Sequence, residues 1–249
     1  MKQILPILTL TTLTAAAFGD AVAPAAVPAS AWSQSANIAF TSNYVWRGVS
    51  QTDTGLAVQG GFDVAHTSGF SAGVWGSNVN DYSGSWKNGI EVDLYANYAF
   101  QISKVDFSVG YIAYYYQSFV GNNFSEINVS ATYAGVIAKI SKEISNGKGP
   151  IDVGGEDYGY YYELGYNYNI PAIKDLVLGL HYGWTDSRNP YQSPVQGTNE
   201  DYSVSLSYPV VGYVATAAYS NCPGSPSGVW NGPNSINKDQ YSITLKKTF

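Results

Sequence analysis

The chain has 249 residues, 12% of them charged and 15% aromatic, with 22 Tyr, 6 Trp, 26 Gly and a formal net charge of −6. Soluble globular chains carry about 25% charged residues, so much of this surface must face something other than water. The acidic balance and lack of a basic run exclude a nucleic-acid partner, and a lone Cys222 excludes an internal disulfide and a cysteine zinc site.

The first element is MKQILPILTLTTLTAAAFG, residues 1–19, with one Lys, an apolar run and then small residues. That order is the plan of a secretory signal peptide. Cleavage is expected after Gly19, with a site as late as residue 31 in the Ala/Pro-rich stretch as the alternative, and residues 20–34 form an N-terminal periplasmic segment. A helical anchor is the competing reading, but Pro6 interrupts the run. Elsewhere no stretch approaches the ~20 apolar residues a membrane helix needs.

From residue 35 to 249 the dominant period is two. In GIEVDLYANYAF, Ile90, Val92, Leu94, Ala96, Tyr98 and Phe100 share one face, and Glu91, Asp93, Tyr95, Asn97 and Ala99 share the other. Period-2 alternation marks a strand with two chemically distinct faces. The pattern predicts twelve strands, near 35–47, 55–66, 69–78, 89–101, 104–116, 124–134, 136–146, 158–170, 175–185, 201–208, 213–220 and 239–249. Most approach the ~9–11 residues with which a tilted strand crosses a bilayer. Lys142 falls on the outward face of the seventh, so a bulge that flips the register is expected there.

Connections alternate long and short. The long ones are 48–54, 79–88, 117–123, 147–157, 186–200 and 221–238, and the short ones are TS at 67–68, IS at 102–103, Gly135, PAIK at 171–174 and PVVG at 209–212. An even strand number with short periplasmic turns and longer outer loops is the plan of a transmembrane barrel. The predicted fold is therefore all-β, an antiparallel up-and-down barrel of the outer-membrane type.

Aromatic residues of the lipid face concentrate near strand ends. Tyr44, Trp46, Tyr162, Tyr182 and Trp184 are expected in the outer girdle, and Tyr98, Phe100, Phe107, Tyr208 and Phe249 in the inner one, where amphipathic rings meet headgroups. A lipocalin-like soluble barrel is the alternative, but it needs a charged exterior. The last strand, QYSITLKKTF, places Tyr241, Ile243, Leu245 and Phe249 on one face, with Lys247 at a position where an apolar residue is usual. A terminal aromatic of this kind resembles the signal read by barrel-assembly machinery.

TSNYVWRGVSQTD at residues 41–53, with AVQGGFDVAHTSGFSAGVWGSNV after it, resembles the N-terminal signature of the TorF-type porins, a family of exported proteobacterial proteins. IEVDLYANY, EINVSATY, YYYELGYNY and the terminal Phe249 extend the likeness over nearly all of the mature chain. The resemblance implies an outer-membrane barrel with a pore role and supplies no catalytic residues.

No glycine-rich phosphate loop, HExxH, CxxC or GxSxG motif is present, so neither an enzyme nor a cofactor is expected. His66 faces outward near a short turn, and His181 faces inward between Gly179 and Gly183. The inward face carries Arg47, Asp63, Glu91, Asp93, Glu126, Glu163 and His181, which are expected to line a channel. Ionisable groups that lipid would exclude are tolerated where they line water or pair with one another. Acids outnumber bases, and acidic rings favour cations, so cation preference is expected. In TSNYVWRGVSQTD, Tyr44 and Trp46 are expected to face lipid, with Asn43 and Arg47 inward and 48–54 turning outside the membrane. The loop acids Asp152, Glu156, Asp157, Glu200 and Asp201 read as solvated surface without calcium-loop spacing.

The expected function is passage of small polar solutes through the outer membrane of a Gram-negative bacterium, with membrane lipid, lipopolysaccharide and the assembly machinery as partners. A non-conducting barrel acting as structural protein or surface receptor is the alternative, and an outer-membrane hydrolase comes third.

Overall fold

The computed structural model describes residues 31–80, 88–117, 123–146, 159–187, 197–223 and 239–249. The signal-peptide reading and the loop acids Asp152, Glu156 and Asp157 lie outside the described residues. The chain forms β1 (Trp32–Thr41), β2 (Val45–Trp46), β3 (Val49–Ser50), β4 (Ala57–His66), β5 (Phe70–Asn80), β6 (Asn88–Ile102) and β7 (Val105–Tyr116). It continues through β8 (Phe124–Tyr133), β9 (Val136–Asn146), β10 (Tyr160–Asn169), β11 (Val177–Ser187), β12 (Gly197–Val210), β13 (Tyr213–Asn221) and β14 (Gln240–Thr248). Twelve of these strands close into one barrel in the order β1-β14-β13-β12-β11-β10-β9-β8-β7-β6-β5-β4, and β2 and β3 form a separate two-stranded ladder. Every barrel neighbour is antiparallel, and the seam joins the ends of the chain through Asn37↔Thr248 to Thr41↔Thr244. Closure leaves no unpaired strand edge, which is what a sheet needs in hydrocarbon.

The two faces separate as the alternation predicts. Outward stand Phe62, Leu94, Val109, Ile127, Val129, Ile140, Leu164, Val204, Leu206 and Ile243, all exposed and apolar. Tyr98, Phe100, Trp184 and Phe249 are exposed on the same wall, and Phe100 stacks on Phe107 at 5.5 Å. Inward stand Gln59, Asp63, Ser77, Glu91, Asp93, Asn97, Glu126, Asn128, Ser141, Glu163, Ser205, Ser207 and Ser242, all buried. An apolar exterior around a polar interior is inverted relative to a soluble domain, and it fits a wall that faces lipid.

The short connections are tight because they adopt left-handed backbone. Ala134-Gly135 and Val211-Gly212 have positive φ at both residues, the pattern of the two-residue turn whose twist matches flanking strands. The bulge near the seventh barrel strand exists, where Ser125 pairs with Ser145 and Glu126 with Glu143. It lies beyond Lys142, however, and does not turn that side chain inward. Lys142 pairs across from exposed Ile127, and its ammonium sits 4.2 Å from the Tyr160 ring centre and donates to Tyr160 Oη at 3.1 Å. A long lysine at a strand end can reach the interface, so the register need not flip.

Candidate functional site

The first strand departs from expectation. β1 ends at Thr41 instead of running to residue 47. Thr41 Oγ1 donates to Asn43 O at 3.0 Å, and Asn43 Nδ2 donates to Gln240 Oε1 at 2.9 Å. Local side-chain bonds of this kind compete with a sheet ladder and bend the chain. Beyond the bend, the chain forms a small hairpin that folds into the barrel. Val45 pairs with Ser50 and Trp46 with Val49, and Arg47 (φ 47°) with Gly48 (φ 75°) forms the two-residue turn at its tip.

Tyr44 and Trp46 are therefore not lipid-facing, and residues 48–54 do not turn outside. Tyr44 is 1% exposed, its ring 5.5 Å from Trp75, and its hydroxyl donates to Glu91 Oε1 at 3.5 Å. Trp46 packs on Tyr114 and Phe124 at 6.1 and 6.2 Å. Period-2 parity assigns a direction only while the strand lasts. Carried past Thr41, it gives both rings the wrong side of the wall.

Arg47 crosses the lumen from the hairpin tip. Its Nη2 donates to both carboxylate oxygens of Glu126 at 2.8 and 3.0 Å. The guanidinium lies 4.3 Å from the Trp46 ring centre and 3.8 Å from that of Tyr161. At the tip, a Cβ on Gly48 would stand 2.7 Å from the Asn221 carbonyl oxygen and 2.8 Å from Cys222 Cβ, so only glycine fits against the end of β13. The hairpin base is held by a buried network in which Ser50 Oγ donates to Asn43 Oδ1 at 2.6 Å and Tyr44 N donates to Thr52 Oγ1 at 3.1 Å. Asn80 of β5 ties the return limb, donating from N to Gln51 O and from Nδ2 to Thr52 O, each at 2.9 Å. The segment thus touches β5, β6, β7, β8, β10, β13 and β14, and it narrows the lumen at the long-loop end.

A second group adjoins the Arg47 site. His181 Nε2 lies 2.9 Å from Asp201 Oδ1 and 3.1 Å from Tyr161 Oη, while Tyr161 Oη donates to Asp201 Oδ2 at 3.1 Å. Asp201, expected as a solvated loop residue, is 2% exposed. β12 begins at Gly197, and Asp201 continues the inward row of Ser203, Ser205 and Ser207. That parity is the available signal, and a strand start placed at residue 201 conceals it. Gly183 permits the cluster, because a Cβ there would collide with Tyr161 Oη and Asp201 Oδ2.

Some of the remaining lumen charges are paired and some are not. Lys139 Nζ lies 3.3 Å from Glu163 Oε2. Tyr95 Oη donates to Asp63 Oδ1 at 2.5 Å, and Lys246 acts on the same carboxylate. Glu91 accepts from Tyr116 Oη at 3.2 Å, and Asp93 stands two residues along β6 on the same face. All seven residues expected along the lumen are inside the barrel. The structure brings Arg47 onto Glu126, Glu91 beside Asp93, and His181 onto an Asp201 that the sequence reading leaves in solvent. No group of three His, Cys, Asp or Glu suited to a metal occurs among the described residues.

The architecture recurs in solved barrels of distant sequence. The KdgM porin superposes with a TM-score of 0.55 at 11% identity, over 86% of this chain and 99% of that one. The NanC porin superposes with a TM-score of 0.52 at 13% identity, over 86% and 98%. These likenesses show a shared fold. No curated protein sequence matches the chain. Over residues 25–249 it matches the profile described as "Bacterial protein of unknown function (Gcw_chp)", and the chain belongs to that family.

Proposed function

We propose that this barrel resides in the outer membrane of a Gram-negative bacterium and passes small polar solutes, with the 42–56 segment as its constriction. The observation that carries the reading is the two-faced wall, with carboxylates, amides and hydroxyls lining the interior of a closed, apolar-skinned barrel. Ionisable and polar groups are tolerated inside a membrane barrel where they line water or pair with one another. The shared fold with the KdgM and NanC porins supports it, as does the likeness of residues 41–53 to the TorF-type porins. The excess of carboxylates supports cation preference, and the C-terminal face of Tyr241, Ile243, Leu245 and Phe249 fits recognition by assembly machinery.

The test is single-channel recording of the refolded protein in planar bilayers. Conductance steps are expected, with a reversal potential of cationic sign under a salt gradient, and neutralising Glu91, Asp93 and Glu126 together abolishes the preference. A folded barrel that shows no steps, even with the hairpin removed, sinks the transport reading. One observation favours the second reading, a barrel without conductance: the hairpin touches strands all round the lumen. Steps that appear only when the hairpin is removed select that reading for the native chain.

A further inference from the structure

Lumen carboxylates divide into those with a cationic partner and those without. Glu126 has Arg47, Glu163 has Lys139, and Asp63 has Lys246 nearby, while Asp201 is hydrogen-bonded to His181 and Tyr161. Glu91 and Asp93 have no cationic partner among the described residues. They are 2% and 4% exposed. As residues i and i+2 of one strand they share a face, with Cα atoms roughly 7 Å apart. The charges that act on Asp93 are those of Glu91 and Glu126, all of one sign. Each carboxylate also keeps one buried oxygen, Glu91 Oε2 and Asp93 Oδ1, with no hydrogen-bond partner. The neighbouring phenols Tyr44 and Tyr116 donate to Glu91 Oε1 and leave the second oxygen free.

Two buried carboxylates of like charge, each with an orphaned oxygen, are balanced only by protons or a cation taken from outside the chain. From this geometry we infer that Glu91 and Asp93 hold a divalent cation on the inward face of β6, beside the base of the hairpin. A doubly charged ion balances both carboxylates at once. All-oxygen donors select a hard cation of the magnesium or calcium class over a transition metal. Among the described residues no third carboxylate, imidazole or thiol joins them, so water supplies the other ligands, as is usual where one or two carboxylates hold magnesium. The site does not require the barrel to conduct.

The experiment uses the full barrel, refolded in detergent and stripped with chelator, then titrated calorimetrically with magnesium chloride and with calcium chloride at constant ionic strength. One saturable equivalent per chain is expected for at least one of the two salts, together with a rise in the unfolding midpoint. The Glu91→Gln/Asp93→Asn double variant should bind at least tenfold more weakly, and Asp175→Asn, in the exposed turn before β11, should bind like the parent. In chelator the double variant should unfold at a higher temperature than the parent, because the unbalanced charges are gone. Absence of saturable binding to a folded parent barrel overturns the inference, and so does equal binding by parent and double variant. A non-conducting barrel that still binds one equivalent would refute the transport reading and leave this site standing.

Discussion

Arg47 shows how one side chain can decide what a barrel interior does. The guanidinium is permanently charged, and its Nη2 alone donates to both carboxylate oxygens of Glu126. Removing one partner of a buried pair strands the other, at about 3–5 kcal/mol. Arg47→Ala should therefore destabilise the barrel by about 3 kcal/mol, read from urea unfolding of the refolded protein. Arg47→Lys should recover only part of that, since an ammonium cannot lie flat between Trp46 and Tyr161 as the guanidinium does. Equal stability for the alanine variant would mean that the ion pair carries no weight. The inward direction of Arg47 agrees with parity only because the hairpin carries the whole tract inside, Tyr44 and Trp46 included. Its partner is not legible at all, because Glu126 lies on a strand 79 positions away and no local pattern links the two.

At the level of elements, the strands can be read from sequence because two different solvents impose period two on every one of them. The expected and observed barrel strands agree in number and in order, and most ends differ by a few residues. Legibility fails where neither solvent acts. The hairpin of β2 and β3 has two residues per limb, too few for a period, and its Arg47-Gly48 turn lacks the Asn or Asp usual before glycine. A tract that turns into the lumen also keeps aromatic residues, since they pack on Trp75, Tyr114 and Phe124 as well as they would on lipid. Among the turns, Val211 is the anomaly. It holds φ at 48° with a β-branched side chain that is 93% exposed. Left-handed backbone costs an L-residue about 1–2 kcal/mol, and Asn tolerates it better. Val211→Asn should stabilise the barrel by roughly 0.5–1 kcal/mol in the same unfolding assay, and a loss of stability would show that the valine makes a contact worth more than its strain.

For the whole molecule, the open question of a twelve-strand barrel is how much of its bore is free. Eight-strand barrels fill their interior with side chains and sixteen-strand porins leave an aqueous channel, so the intermediate size leaves the outcome to what projects inward. Here the 42–56 segment projects, pinned at Asn43, Ser50, Thr52 and Arg47. Replacing residues 44–54 by a short glycine-serine link should raise single-channel conductance severalfold while the protein still migrates as a folded barrel. Unchanged conductance would place the narrowest point elsewhere. The same pins argue for a fixed constriction instead of a swinging one, since the buried bonds would have to break together.

The seam between β1 and β14 has a consequence for the order of assembly. The hairpin leaves β1 directly, and its anchors reach the other terminus: Asn43 bonds Gln240, Ser42 N donates to Ile243 O, and Thr244 Oγ1 donates to Thr41 Oγ1. These partners are about 200 residues apart in sequence, so the contacts form late, after the intervening hairpins have paired. The hairpin's ties to β5, β6 and β8 do not depend on that closure, so the arrival of the final strand completes its docking. In single-tryptophan variants, the environment of Trp46 should become apolar after that of Trp184 during refolding. Simultaneous change at both positions would mean that the hairpin docks before the ring is complete.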